Sequence, residues 1–82
     1  MARILYFGKL SDVTGTFGED VRMPDEIADS ETLRAWLDRE RGFAGALLHK
    51  SVRIAINGEI VTGSMHVSNS DEIAFMPPVG GG

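Results

Sequence analysis

The segment VRIAINGEIV, residues 52–61, predicts a β-hairpin more clearly than any other part of the chain. In its first half, apolar residues alternate with Arg53 and Ala55, which is the pattern of a strand that is buried on one face. Asn57-Gly58 follows and is the strongest short-range turn signal in the sequence. The apolar residues after this turn can return as a brief strand. We therefore expect two paired strands here.

Upstream of this hairpin, the chain predicts one main helix. Asp29 or Ser30 can cap its start, the helix is expected to run to about Arg41, and Gly42 stands where a C-terminal cap belongs. A short apolar turn is expected to follow at residues 43–48. The apolar stripe of the helix consists of Leu33, Trp36 and Leu37.

Strands are also predicted near both ends of the chain. Residues 2–8 and 19–23 are expected to pair as a hairpin, with a helical turn between them at 9–15. After a turn at 69–71, residues 72–76 predict the last strand. The order is strand, strand, helix, strand, short strand, strand. One helix on one face of a mixed sheet is an α+β roll of the ubiquitin-like, or β-grasp, class.

Alternation along the strands also separates the two faces of the sheet. The face towards the helix is expected to carry Ile4, Tyr6, Ile54, Ile56, Ile73 and Phe75. The opposite face is expected to carry Arg3, Leu5, Phe7, Arg53, Ala55, Ala74 and Met76. A face open only to solvent rarely places Leu5, Phe7 and Met76 together, which indicates a docking patch with a charged rim. The alternative is that a loop or the tail of the chain covers these side chains.

Length and composition limit the possible functions. The chain has 82 residues, of which 43% are apolar, which is enough for one domain with a modest core. It has no cysteine, which excludes disulfides and thiolate chemistry. The net charge of −4 and the scattered lysines and arginines argue against nucleic-acid and membrane partners. The apolar runs are too short to cross a membrane, and the first residues resemble a strand rather than a secretory signal. We expect a cytoplasmic protein.

The end of the chain carries the clearest functional signal. Two prolines favour an extended polyproline arm, and six residues at ~3.3 Å each reach about 20 Å. Three terminal glycines remove every side chain from the tip, so that a narrow tunnel in another protein can accept it. We therefore divide the chain into a domain at 1–76 and an extended tail at 77–82, with the carboxyl group of Gly82 as the working group. The alternative is a frayed glycine-rich terminus.

No other set of residues predicts an active site. His49 and His66 stand far apart without the spacing of metal ligands, and residues 15–18 lack the lysine of a phosphate-binding loop. The acidic pairs are more typical of solvated turns and strand edges than of cation sites. We therefore expect no metal, no permanently bound cofactor and no active site within this chain alone.

Three segments resemble the small subunit of molybdopterin synthase, a family of ubiquitin-like sulfur carriers. They are ILYFGKL at 4–10, VRIAINGE at 52–59 and DEIAFMPPVGGG at 71–82. The resemblance covers nearly the whole chain in order and length, and its most specific part is the ending. Two departures stand out. Gly80 replaces a residue that is commonly small and polar in the family, and the first loop lacks a frequent Arg-Glu pair.

The resemblance implies a sulfur carrier of molybdenum cofactor biosynthesis, without an active site of its own. An adenylyltransferase of the ubiquitin-activating type would use ATP to adenylate the carboxylate of Gly82, and a sulfur donor protein would supply the sulfur of a thiocarboxylate. The tail would then insert into the large subunit of molybdopterin synthase, in a heterotetramer, and deliver sulfur to cyclic pyranopterin monophosphate. The inserting residues would be Pro77, Pro78, Val79, Gly80 and Gly81. Apolar contacts to the partner would come from Phe7, Ile60 and Met76.

Two alternatives stay open at this point. One is a sulfur carrier for another pathway, such as thiamine synthesis, cysteine synthesis or tRNA thiolation, although thiamine carriers are usually shorter and lack the Pro-Pro-Val stem at 77–79. The other is a ubiquitin-like interaction module whose glycine tail is idle.

Overall fold

The computed structural model of the protein describes residues 1–77. They form a five-stranded mixed sheet with one main helix packed on one face. The strands are β1 (Ala2–Tyr6), β2 (Gly18–Val21), β3 (Arg53–Ile56), β4 (Glu59–Val61) and β5 (Glu72–Met76), and the helices are α1 (Leu10–Thr14) and α2 (Ser30–Arg41), with a 3₁₀ turn at Ala46–Leu48. The strand order across the sheet is β2-β1-β5-β3-β4. β1 and β5 run parallel, and the other pairs are antiparallel. The predicted β-grasp roll is confirmed. Within the described residues, no helix has the length and apolar character needed to cross a membrane.

The main helix has the two caps that the sequence indicates. The Asp29 carboxylate accepts a hydrogen bond from the backbone N–H of Thr32 at 2.8 Å and another from the Ser64 hydroxyl at 2.9 Å. These donors, led by the Thr32 N–H, hold the pKa of Asp29 below its ordinary value. At the other end, Gly42 takes the left-handed conformation, with φ +69°, that ends many helices.

The β3–β4 hairpin turns at the predicted Asn57-Gly58 pair. Both residues have positive φ, at +51° and +87°, as a two-residue type I′ turn requires. The Asn57 side chain also donates to the Asp71 carboxylate and accepts from the Glu72 N–H, each at 2.9 Å. These hydrogen bonds attach the turn to the start of β5 and thereby fix the register of the central strands.

The core lies between α2 and the inner face of the sheet. Leu33 and Leu37 of the helix are fully buried there, together with five of the six strand residues expected on this face, while Ile56 is half-buried. Trp36 is not the centre of this contact, because at about 100° per residue it lies on the flank of α2, where it is half-buried. The largest fully buried side chains are instead those of Tyr6 and Phe75.

Candidate functional site

The predicted tail begins directly after a strand at the centre of the sheet. β5 lies between β1 and β3, so hydrogen bonds hold it on both sides up to its last residues. On one side, the Phe7 N–H donates to the Phe75 carbonyl oxygen at 3.0 Å. On the other side, Met76 pairs with Arg53. The direction in which the chain leaves the domain is therefore set by a central strand rather than by a loop.

Gly8 supports Pro77, the first residue of the predicted tail. Gly8 has φ +56°, and a Cβ placed on it would lie 2.8 Å from Cγ of Pro77. Non-bonded carbon atoms in proteins essentially never come this close. The absence of a side chain therefore lets the proline ring pack on the Gly8 backbone. This contact fixes Met76 and Pro77, which we call the tail root, against the loop after β1.

We expect Gly8→Ala to move the tail root and to cost more than the about 1–2 kcal/mol of strain that positive φ alone imposes on an L-residue, because the added Cβ also meets Pro77. Gly15→Ala is the matched control, because Gly15 has φ +77° and nothing lies within 4 Å of an added Cβ. Urea denaturation measures the stability of both variants, and amide resonances of Phe7 and Met76 report the position of the root. If the two variants behave alike in both measurements, Gly8 does not position Pro77.

Aromatic side chains pack together behind the tail root. The Tyr6 and Phe75 rings stack with centroids 6.1 Å apart, and Phe43 meets Tyr6 edge-on at 5.8 Å. The Tyr6 hydroxyl donates to Glu19 at 2.8 Å, and Glu19 in turn forms a 2.8 Å ion pair with Arg41. Burial, reinforced by the hydrogen bond to Glu19, raises the pKa of Tyr6 above its ordinary value, so the phenol stays neutral. This network connects β1, β2 and the end of α2 beneath the last strand.

The outer face of the sheet is apolar beside this root. Strand register places Leu5, Ala74, Ala55 and Ile60 in one row across β1, β5, β3 and β4. Continuing the parallel β1–β5 register places Phe7 next to Met76, one row closer to the tail. We call these residues the apolar face: Leu5, Phe7, Ala55, Ile60, Ala74 and Met76. The centre of this face is a shallow depression, because two small alanine side chains lie between larger ones.

Exposure distinguishes the margin of the apolar face from its centre. The side chains of Phe7 and Ile60 are 46% and 59% exposed, whereas Ala55 and Ala74 are buried by their neighbours. Along residues 1–77, no loop covers Phe7 or Ile60. An exposed aromatic and an exposed isoleucine around a low apolar centre are typical of a protein-binding surface.

The predicted site residues are placed as follows. Phe7, Ile60 and Met76 share the outer face, with Phe7 and Met76 at the tail root and Ile60 on the edge strand β4. Pro77 lies against Gly8. The other predicted tail residues, Pro78, Val79, Gly80 and Gly81, and the predicted reactive residue Gly82 lie outside the described residues. Sequence reasoning missed the role of Gly8, for which the only signal was a glycine directly after an apolar strand.

The two histidines lie in separate loops. Nδ1 of His49 is 2.6 Å from the Ser51 hydroxyl in an exposed turn, while His66 forms an isolated bridge with Asp29. No group of three or more histidine, aspartate or glutamate residues is placed to hold a metal ion in the part of the chain that the structure describes.

Comparison with known proteins gives consistent results. The ThiS family model matches residues 4–82. The chain is 32% identical to the molybdopterin synthase sulfur carrier subunit of Haemophilus influenzae, over 100% of both chains. Among solved structures, it is similar to SAMP1 from Haloferax volcanii, with a TM-score of 0.80 and 22% identity over 99% of this chain and 98% of that one. It is also similar to a chain in the complex of subunits 1 and 2 of molybdopterin-converting factor from Helicobacter pylori, with a TM-score of 0.66 and 22% identity over 99% and 97%.

Proposed function

This chain belongs to the ThiS family, and we propose that it is a sulfur carrier of molybdenum cofactor biosynthesis that donates sulfur within a molybdopterin synthase. The observation that carries this proposal is that the predicted tail begins at the end of a central strand, beside the apolar face. The name of the Haemophilus influenzae relative, which matches the chain from end to end, supports the same assignment.

The chemistry proposed for the carrier takes place at the carboxylate of Gly82. A carboxylate resists attack by a nucleophile until one oxygen becomes part of a good leaving group. ATP supplies this group when the carboxylate attacks its α-phosphorus, which releases pyrophosphate and forms an acyl adenylate. Sulfide-level sulfur from a donor protein then displaces AMP and forms the thiocarboxylate. The proposed acceptor of this sulfur is cyclic pyranopterin monophosphate.

Three proteins are the proposed partners. The large subunit of molybdopterin synthase binds the apolar face and receives the tail, an adenylyltransferase of the ubiquitin-activating type forms the adenylate, and a donor protein supplies sulfur. The Helicobacter pylori structure, a complex of subunits 1 and 2 of molybdopterin-converting factor, supports the first of these partners. We place the reaction in the cytoplasm, where ATP is available for activation.

The mass of the protein purified from its native host tests the carrier chemistry. Replacement of one oxygen by sulfur at the C-terminus adds about 16 Da, which intact-mass spectrometry resolves. We expect this gain in the wild-type protein and not in a variant that lacks residues 80–82 and so ends without a glycine carboxylate. The same mass in all growth conditions would contradict the proposal and favour an interaction module with an idle tail.

A second measurement separates the pathways. The thiocarboxylated protein is mixed with the purified large subunit and cyclic pyranopterin monophosphate, and molybdopterin formation is measured. We expect product with this substrate. A thiocarboxylated protein that forms no product would instead be a carrier for thiamine synthesis, cysteine synthesis or tRNA thiolation.

A further inference from the structure

A polar cleft lies at the same end of the domain as the tail root. It has a volume of about 300 Å³ and lies between α2, the start of β3 and the chain that follows β4. Ser51 and Val52 line both this cleft and the neighbouring groove that contains Pro77. The residues with charged or hydroxyl groups around the cleft are Glu31, Arg34, Lys50, Ser51, Arg53 and Thr62.

Positive charge is concentrated in this cleft. Arg34, Lys50 and Arg53 are three of only eight basic residues in a chain whose net charge is −4. Lys50 and Arg53 are close in sequence, and the fold adds the distant Arg34 because the first turns of α2 approach the start of β3. Their convergence is therefore a property of the structure that composition does not reveal.

The acidic residue in the cleft does not balance this charge. Glu31 already forms an ion pair with Arg34, with 3.0 Å between Oε2 and Nη2. Across residues 1–77, neither Lys50 nor Arg53 forms an ion pair. Two cations therefore face the cleft without a protein carboxylate, and this arrangement attracts an anion.

Arg34 is the buried element of the cleft. Its side chain is 13% exposed, and Nη1 donates only a long hydrogen bond of 3.4 Å to the Leu47 carbonyl oxygen. Its Nε–H has no acceptor among the described residues. Because a buried guanidinium N–H without a partner is unfavourable, Arg34 is short of hydrogen-bond acceptors.

The backbone N–H groups at the start of α2 are not free to bind a ligand in the cleft. The backbone N–H groups of Ser30, Glu31 and Thr32 are hydrogen-bonded to the Met65 carbonyl oxygen, the Ser64 hydroxyl and the Asp29 carboxylate, respectively. The available donors are therefore side chains, namely the Lys50 and Arg53 cations and the hydroxyl of Thr62.

We propose that this cleft binds the phosphate group of a small anionic ligand. Donors reach the cleft from the turn before β3, from the start of β3 and from the segment after β4, so an acceptor with several oxygens can meet them from different sides. A phosphate group presents such oxygens in several directions, whereas a carboxylate presents two in one plane. The volume admits inorganic phosphate or the phosphate end of a nucleotide. This proposal does not depend on the sulfur-carrier function.

Amide and arginine Nε–H resonances of the full-length protein test the proposal during titration with inorganic phosphate and, separately, with ADP at constant ionic strength. We expect saturable shifts at residues 50–53 and 61–63 and at Nε–H of Arg34. Lys50→Gln with Arg53→Gln should weaken binding at least about tenfold. The matched control is Arg22→Gln with Arg39→Gln, which removes the same charge from exposed positions outside the cleft and should change affinity less than about twofold.

The two titrations also identify the source of the phosphate. Saturation by inorganic phosphate supports a site for the free anion, whereas saturation by ADP at lower concentration supports a nucleotide. Shifts that do not saturate with either ligand would overturn the proposal. An equal loss of affinity in the cleft variant and the control would also overturn it, since the effect would then come from the overall charge of the protein.

Discussion

Gly81→Ile is expected to reduce sulfur transfer by at least ~100-fold, because even a misplacement of about 1 Å at a reacting centre costs about that factor. The substitution adds a branched side chain directly before the reactive glycine. A tunnel that accepts bare backbone has no room for it. The free energy of unfolding should not change, since the described core is formed by residues earlier in the chain.

The control for this prediction is Val79→Ile, which adds one methylene group to a tail position that already carries a branched side chain. Both variants are charged with sulfur by the activating enzyme and then tested for molybdopterin formation with the large subunit. The threading argument requires near-normal transfer by the Val79 variant and almost none by the Gly81 variant. Equal transfer by wild type and Gly81→Ile would disprove it.

Local sequence signals predicted the elements of the fold. Asp29 and Gly42 carry the chemistry of helix caps, and both perform that role. Asn57-Gly58 carries the chemistry of a type I′ turn and takes that conformation. In these cases the residues that decide the structure are neighbours in sequence. A pattern of a few residues therefore contains most of the information.

The features that were not predicted depend on contacts between distant residues. The Gly8–Pro77 contact joins the two ends of the domain, and only the parallel pairing of β1 with β5 brings them together. Arg34 and Arg53 reach one cleft because the first turns of α2 lie beside the start of β3. Periodicity identifies which side of a helix is apolar, but not which residue lies at its centre.

The buried position of Asp38 illustrates the same limit. A carboxylate near the end of a helix is usually solvated, and nothing in the local pattern indicates otherwise. In the structure, its two carboxylate oxygens accept hydrogen bonds from the backbone N–H groups of Gly45 and Leu47, at 2.8 and 2.9 Å respectively. Asp38 therefore stabilises the loop that follows α2. This role depends on how the chain reverses after Gly42, which the sequence alone does not specify.

Phe7→Asp combined with Met76→Asp is expected to weaken binding to the large synthase subunit by at least about 100-fold, or ~2.7 kcal/mol. Burial of both side chains in a partner removes about 200 Å² of apolar surface from water, which is about 5 kcal/mol at ~25 cal/mol per Å² before ordering costs. This gain offsets part of the entropy lost when a glycine-rich tail is fixed in a tunnel. Two carboxylates at the tail root would remove the gain and add a desolvation cost.

Phe17→Asp with Met65→Asp is the matched control, because it changes the same residue types at positions that are 80% and 47% exposed outside the apolar face. Titration calorimetry with the purified large subunit measures affinity, and circular dichroism with urea denaturation confirms that both variants fold. If the Asp pair at the root unfolds the domain, Phe7→Ala with Met76→Ala provides the test, with an expected loss of about tenfold. The control should bind like wild type. If folded root variants bind with unchanged affinity, the exposed Phe7 contributes nothing to binding. The partner would then contact a different surface, and the tail alone would confer recognition.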